Sequence, residues 1–188
     1  MKIINFADFL ENGLALEDKK SAMTVGIFDG VHLGHQKLIK RVVSHNSNLV
    51  PAVITFKDNH KSESADIQSF EKRLAMFKKL GIKIVIVIDF TQEFRRMPGV
   101  EFLKILLQRG NIGYFAIGED FSCGYQLDTN AKEIKIFFES HNIAAGIVPD
   151  VMEGSLPVSS SRIREAIAAG DIQLAEKMLG YSIKENVC

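Results

Sequence analysis

The sequence predicts an α/β protein with a doubly wound, mainly parallel sheet of about five strands, helices on both faces and a C-terminal helix pair. Short apolar runs alternate with helix-length amphipathic segments up to residue 149, and closely spaced helices follow Pro157. The 188 residues can bury a substantial core and show no repeat or evident linker. We therefore expect one domain over residues 1–188, with residues 158–188 as its helical tail.

Five short runs rich in Val and Ile, apolar on both faces, predict buried strands of a parallel sheet. They are Ala22–Phe28, Leu49–Phe56, Lys83–Phe90, Tyr114–Gly118 and Ala144–Pro149. Because ligands of such sheets bind beyond the carboxyl ends of the strands, the tips of these strands are where a site is expected.

Helical spacing of apolar residues predicts four helices, one between each pair of consecutive strands. They cover His35–Ser47, Phe70–Leu80, Val100–Arg109 and Asn130–His141. Asn130 and Glu133 have the spacing of a capping box. After Pro157, the stretch "VSSSRIREAIAAGDIQLAEKMLGYS" predicts two short helices, divided at Gly170, with Asp171 capping the second.

Charge and cysteine content exclude several classes of protein. Lys and Arg number 23 and Asp and Glu number 23, so the chain lacks the cationic excess of a general nucleic-acid binder. Cys123 and Cys188 are far apart in the sequence, which argues against a disulfide scaffold. The N-terminal residues contain no long apolar run, which argues against a signal peptide or membrane span. We expect a cytoplasmic protein that binds neither nucleic acid nor a membrane.

The first strand leads into the stretch "GIFDGVHLGH", which has the features of a phosphate site. Asp29 and Gly30 form a turn, and Gly34 allows a close approach of the backbone to a ligand. A helix beginning around His35 offers free N–H groups to an anion. His32 and His35 can donate hydrogen bonds to phosphate or become charged as negative charge develops. Such a site suits the stabilisation of a phosphoryl transition state.

Two other interpretations of the histidine pair remain open at this point. The pair can belong to a surface turn with no function, or it can bind zinc. The sequence supplies no Cys or carboxylate pattern for the remaining zinc ligands. The position after a buried strand and beside two glycines favours phosphate.

The stretch "VSSSRIRE" places three hydroxyls and two arginines at a helix start. The serines at 159–161 can cap the helix or line a second phosphate site. Arg162 and Arg164 point to different sides of the helix, and we expect Arg164 to face the site. We expect Arg162 to form a surface salt bridge with Glu165 or a neighbour.

These motifs resemble those of bacterial FAD synthetases, the FMN adenylyltransferase module of the bifunctional riboflavin kinase/FMN adenylyltransferases. "GIFDGVHLGHQKLI" resembles the nucleotide-binding motif, and the serine-arginine stretch resembles the SSTxxR signature. "GEDFSCG" is similar to the G-x-[DN]-F-x-F-G loop, and the resemblance covers roughly Thr24–Ser182. It implies a Rossmann-like nucleotidyltransferase fold and transfer of AMP from ATP to FMN, giving FAD and pyrophosphate with Mg²⁺ as counter-ion.

The resemblance also implies roles for particular residues. His32, His35 and Arg164 would be catalytic. The implied ATP-binding residues are Gly26, Phe28, Asp29, His32, Gly34, His35, Ser160, Ser161 and Arg164. The implied flavin-binding residues are Phe56, Asp58, Asn59, Asp120 and Phe121. No metal ligand is assigned. Because no riboflavin kinase domain is recognisable in the 188 residues, a separate riboflavin kinase would supply FMN.

The flavin-side loops depart from the family pattern, whereas the ATP-side motifs match it. "TFKDNH" lacks both prolines of T-F-x-P-x-P, and Cys123 stands where the second aromatic of "GEDFSCG" is expected. The sequence therefore leaves two alternatives to FMN adenylyl transfer. One is a nucleotidyltransferase for another phosphorylated small molecule, and the other is a flavin- or nucleotide-binding protein without turnover.

Overall fold

A computed structural model describes residues 1–57 and 66–183. Within these residues the strands of the main sheet are β1 (Lys2–Asn5), β2 (Ser21–Val25), β3 (Val50–Phe56), β4 (Ile84–Ile88), β5 (Ile112–Gly118) and β8 (Ala144–Val148). These six strands all pair in parallel, in the order β1-β4-β3-β2-β5-β8. Two small antiparallel hairpins join β6 (Ser122–Cys123) to β7 (Thr129–Asn130) and β9 (Met152–Glu153) to β10 (Leu156–Pro157).

Helices cover both faces of this sheet. They are α1 (Phe6–Asn12), α2 (Leu33–Ser44), α3 (Phe70–Lys79), α4 (Gln92–Arg96), α5 (Gly99–Arg109), α6 (Ala131–Ser140), α7 (Ser160–Ala168) and α8 (Ile172–Leu179). One apolar core includes Phe102 of α5, Phe115 of β5 and Phe138 of α6. The other includes Ile39 of α2 and Phe77 of α3. The two cores on opposite faces confirm the doubly wound α/β architecture.

The main sheet has six strands among the described residues, whereas the sequence predicts about five. β1 pairs in parallel with β4 at the edge of the sheet, and its residue Ile3 is 52% exposed. An edge strand of four residues, most of them exposed, lacks the apolar run that reveals a buried strand. The five predicted strands are all present, with ends shifted by at most a few residues.

The C-terminal helix pair forms a third apolar cluster. Ile163 and Ala166 of α7 pack with Ala175, Met178 and Leu179 of α8. The predicted division at Gly170 and the cap at Asp171 are confirmed, since the Asp171 side chain accepts from the N–H of Leu174. The capping box of Asn130 and Glu133 is also present.

Candidate active site

The turn that follows β2 is held in a strained backbone conformation. Phe28, Gly30 and Val31 have φ values of 57°, 74° and 36°. A positive φ is uncommon for residues other than glycine, above all for a β-branched one, and costs of order 1–3 kcal/mol. Contacts from other elements must therefore stabilise this turn.

Ser160 of α7 and Tyr181, which follows α8, provide such contacts to successive carbonyls of the turn. The Ser160 hydroxyl donates to the Asp29 carbonyl at 3.0 Å, and the Tyr181 hydroxyl donates to the Gly30 carbonyl at 2.5 Å. Burial and the nearby Asp29 raise the pKa of Tyr181 to about 12, so its hydroxyl stays a donor. These bonds bring together the two motifs that the sequence separates by about 125 residues.

The carboxylate of Asp29 joins three parts of the chain. It is almost fully buried, and it accepts from the N–H of Ile67 at 3.0 Å and from the guanidinium of Arg164. Burial raises the pKa of Asp29, and the Arg164 charge partly offsets this effect. Asp29 thereby fixes Arg164 beside the histidine turn.

The two histidines stack on each other where α2 begins. Their ring centroids are 3.6 Å apart, and the Nδ1 atom of His32 accepts from the N–H of His35. The helix therefore begins at Leu33, earlier than the sequence predicts, because His32 caps it. Burial lowers the pKa of His32 to about 4. Burial, with smaller contributions from His32 and Arg73, also lowers the pKa of His35, so both rings are neutral near pH 7.

Two glycines provide the space for the rings of His32 and Phe28. A Cβ atom on Gly34 would lie 3.1 Å from Cε1 of His32, and one on Gly26 would lie 3.1 Å from the Phe28 ring. Both distances are tighter than ordinary van der Waals contact. The absence of a side chain at Gly34 thus leaves room for the His32 ring. The sequence predicts a different role for Gly34, the close approach of a ligand to the backbone.

All nine sequence-predicted ATP residues line one cavity of about 540 Å³. Two of their polar atoms, Nδ1 of His35 and Nε of Arg164, are buried without a hydrogen-bond partner in the part of the chain that the structure describes. Unsatisfied buried donors and acceptors are costly and indicate a missing ligand or water. Both atoms belong to residues that line this cavity, at the end where the histidine turn meets Arg164.

The same cavity extends into an aromatic region. Of the predicted flavin residues, Phe56, Asp120 and Phe121 line it. Asp58 and Asn59 lie outside the described residues. Asp150 lies with Asp120 at this end, and partial burial, followed by the charge of Asp120, raises the pKa of Asp150.

Sequence reasoning missed most of the aromatic wall of the cavity. Phe94 of α4 makes edge or tilted ring contacts, at 5.6–5.8 Å between centroids, with Phe56, Phe90 and Phe102. Arg95 also lines the cavity and stacks over Phe90 at 5.3 Å. These residues carry no motif, although the closely spaced aromatics of "DFTQEF" beside a strand end were a usable signal.

The expectation of a surface salt bridge for Arg162 is wrong. Its guanidinium donates to the carbonyls of Leu156 and Pro157 at 2.9 and 2.5 Å and to that of Glu153 at 3.3 Å. The short β9–β10 hairpin leaves these carbonyls available beside α7, and a planar guanidinium with five donors can bind several of them. Arg162 thus braces the segment that leads into the serine motif.

The described residues contain neither a group of metal ligands nor a helix that could span a membrane. Among residues 1–57 and 66–183, no three His, Cys, Asp or Glu side chains are grouped to hold a metal ion. In the same residues no helix is long and apolar enough to span a membrane. The zinc interpretation of the histidine pair therefore finds no further ligands in the described part of the chain.

A parallel sheet with a histidine-bearing turn and a serine-arginine helix start at one cavity is an architecture typical of nucleotide-binding α/β proteins. The chain belongs to the FAD synthetase family, whose model matches residues 15–162.

Curated relatives agree with this family. The chain is 28% identical to a bifunctional riboflavin kinase/FMN adenylyltransferase of Buchnera aphidicola, covering 90% of this chain and 58% of the relative. It is 30% identical to the bifunctional enzyme of Bacillus subtilis, covering 89% and 56%. An FAD synthetase of Listeria monocytogenes is 25% identical, covering 88% and 70%. The chain thus spans a little over half the length of the bifunctional relatives.

The fold is similar to the crystal structure of a protein from Streptococcus pneumoniae that is named a macrolide-efflux protein. The TM-score is 0.82 and the sequence identity 26%, and the match covers 96% of this chain and 60% of that one. Nearly the whole chain therefore has a known fold.

Proposed function

We propose that this protein is an FMN adenylyltransferase, which transfers AMP from ATP to FMN to form FAD and pyrophosphate. One observation carries the proposal: a single cavity joins two anion-binding motifs to an aromatic region. A flat, largely apolar ring bearing a phosphate on a flexible chain matches the aromatic and anionic halves of such a cavity.

The end of the cavity formed by His32, His35 and Arg164, called the nucleotide end from here on, would hold the triphosphate of ATP. Helix α2 begins at this end, where its dipole favours an anion, and the neutral rings of His32 and His35 can donate hydrogen bonds to phosphate oxygens. Arg164 carries a positive charge at the same end, with Ser160 and Ser161 beside it. A negative ligand would raise the pKa of both histidines, so the site can take up protons as charge develops.

The aromatic end would hold the isoalloxazine ring of FMN. Phe56, Phe94 and Phe121 offer ring faces and edges for this purpose, and Asp120 offers hydrogen-bond acceptors at the mouth. Asp58 and Asn59 stay predicted flavin ligands. The FMN phosphate would then reach from the aromatic end towards the α-phosphorus of ATP.

In the proposed reaction an oxygen of the FMN phosphate attacks the α-phosphorus of ATP. The bond from this phosphorus to the oxygen that bridges it to the β-phosphorus breaks, and pyrophosphate leaves with the electron pair. The FMN phosphate is already an anion near neutral pH, so alignment and charge stabilisation matter more than a strong base. Magnesium would enter with ATP as part of the substrate, held mainly by the phosphates.

Two further predictions from the sequence accompany this proposal. They are a single domain over residues 1–188 and a cytoplasmic location.

The test is the formation of FAD and pyrophosphate from ATP, Mg²⁺ and FMN by purified protein, followed by chromatography. His32→Ala and His35→Ala should abolish most of the activity, and Glu165→Gln, an exposed position beside Arg164, should retain it. Folded wild-type protein that makes no FAD would contradict FMN as the acceptor. Pyrophosphate release with a different phosphorylated acceptor would then support the second nucleotidyltransferase hypothesis, which the altered flavin loops motivate.

A further inference from the structure

Arg73 is a buried cation that no sequence motif singled out. It lies on α3, and only 1% of its surface is exposed. Arginine is almost never fully buried unless its charge and its donors are matched by partners. Its position therefore requires a specific set of contacts.

The guanidinium of Arg73 bridges the ends of two neighbouring strands. One terminal nitrogen donates to the carbonyl of Ile27 at 2.6 Å, and the other donates to the carbonyl of Lys57 at 2.7 Å. Ile27 follows β2 and Lys57 follows β3, and these strands pair in parallel. The Phe70 ring lies 5.1 Å from the guanidinium, and the Thr55 hydroxyl donates to the same Ile27 carbonyl at 3.1 Å.

These two strand ends lead to the two halves of the cavity. Ile27 is followed directly by Phe28 and the histidine turn, which forms the nucleotide end. Lys57 directly follows Phe56, which lines the aromatic end. A planar guanidinium that holds both carbonyls at once fixes the distance between the two ends.

We propose that Arg73 is a positioning residue for the transfer reaction, which holds the nucleotide end and the acceptor end of the cavity at the separation that the reaction needs. This inference rests on the proposed function, because it assigns the two ends to ATP and the acceptor. Misplacement of reacting groups by about 1 Å can cost about 100-fold in rate, so a rigid link between the ends is valuable.

The charge of Arg73 also acts on the catalytic histidines. The groups whose charges act on His35 are His32 from the same turn and Arg73 from α3, and both lower its pKa in addition to burial. Removal of the Arg73 charge should therefore raise the pKa of His35. A purely architectural arginine, remote from the chemistry, would leave the titration of this histidine unchanged.

The test compares Arg73→Met, Arg73→Lys and the matched control Lys78→Met, which removes a positive charge from an exposed position of the same helix. We expect Arg73→Met to lower kcat by about 10- to 100-fold, with KM for ATP changed by less than about threefold. Lys can still donate to both carbonyls but lacks the planar fork, so Arg73→Lys should recover part of kcat. Lys78→Met should behave as wild type.

A second readout does not depend on the acceptor. NMR titration of the histidine rings should show a higher pKa for His35 in Arg73→Met than in wild type or Lys78→Met. Wild-type kcat together with an unshifted His35 in folded Arg73→Met would overturn the proposal, as would a loss of stability alone. If Arg73→Met does not fold, the kcat of folded Arg73→Lys decides, and a wild-type kcat in this variant would overturn the proposal. Wild-type protein that makes no FAD would sink the proposed function, while the His35 titration would still report on Arg73.

Discussion

The guanidinium of Arg164 donates a hydrogen bond to the carboxylate of Asp29, which lies 135 positions earlier in the chain. Asp29 is 3% exposed at its side chain and Arg164 is 18% exposed, so solvent screens this ion pair only partly. The contact places an arginine of the C-terminal helix pair beside the histidine turn of the first strand. It is the clearest structural link between the two halves of the proposed ATP site.

Removal of the Asp29 charge should break the ion pair between Asp29 and Arg164. Asp29→Asn keeps the size of the side chain but leaves Arg164 without its carboxylate, so Arg164 should lose its fixed position. We expect kcat/KM for ATP to fall by about 10- to 100-fold, as steady-state kinetics would show. Glu165→Gln, which removes a carboxylate from an exposed position next to Arg164, is the control and should change this ratio by less than about twofold. Equal values for the two variants would contradict a role of Asp29 in holding Arg164.

Tyr181 should contribute to the stability of the strained turn. Tyr181→Phe removes the hydroxyl that donates to the Gly30 carbonyl and should lower the free energy of unfolding by about 1 kcal/mol. Tyr125→Phe is a matched control, because Tyr125 is 47% exposed. Urea unfolding measures both effects. A loss no larger for Tyr181→Phe than for Tyr125→Phe would show that the bond does not stabilise the turn.

The buried His32 should make the protein less stable in mild acid. Its pKa is about 4 in the folded protein and near 6.5 in an unfolded chain. Between these values the unfolded chain binds the extra proton, so the free energy of unfolding falls as the pH falls from 6.5 towards 4. The His32 contribution to this fall reaches about 3 kcal/mol below pH 4.

His32→Asn tests this contribution, because an Asn side chain can still cap α2 without titrating. Urea unfolding at pH 7 and pH 4.5 should show a smaller acid loss for His32→Asn than for wild type. The same acid loss in both proteins would mean that other groups, such as His35, account for the pH dependence.

Arg95 should affect the acceptor and leave ATP binding unchanged. It lines the aromatic end of the cavity and stacks on Phe90, whereas its exposed neighbour Arg96 does not line the cavity. We expect Arg95→Ala to raise KM for FMN by about 2- to 5-fold. This is the size expected for the loss of one exposed cation–aromatic interaction between Arg95 and the flavin ring. Arg96→Ala should leave this KM unchanged. A rise in KM for ATP instead would place Arg95 at the wrong end of the cavity.

The sequence revealed the nucleotide end of the site more completely than the acceptor end. His32 and Arg164 belong to local motifs at strand and helix ends, where residue type and spacing are informative on their own. Phe94 and Phe102 reach the cavity through packing between elements distant in the sequence. Arg73 does not line the cavity but binds the backbone carbonyls of Ile27 and Lys57 beside it. No local pattern encodes such contacts. The edge strand β1 was missed for a related reason, since most of its residues are exposed.

The central claim is that ATP and FMN occupy the two ends of one cavity with their reacting groups in contact. The most direct measurement is a crystal structure of the protein with FMN and an ATP analogue that cannot be cleaved between its α- and β-phosphorus atoms. We predict the triphosphate against His32, His35 and Arg164, the flavin ring against Phe56 and Phe94, and an FMN phosphate oxygen about 3–3.5 Å from the α-phosphorus. A flavin bound elsewhere, or a triphosphate away from the histidines, would contradict the claim.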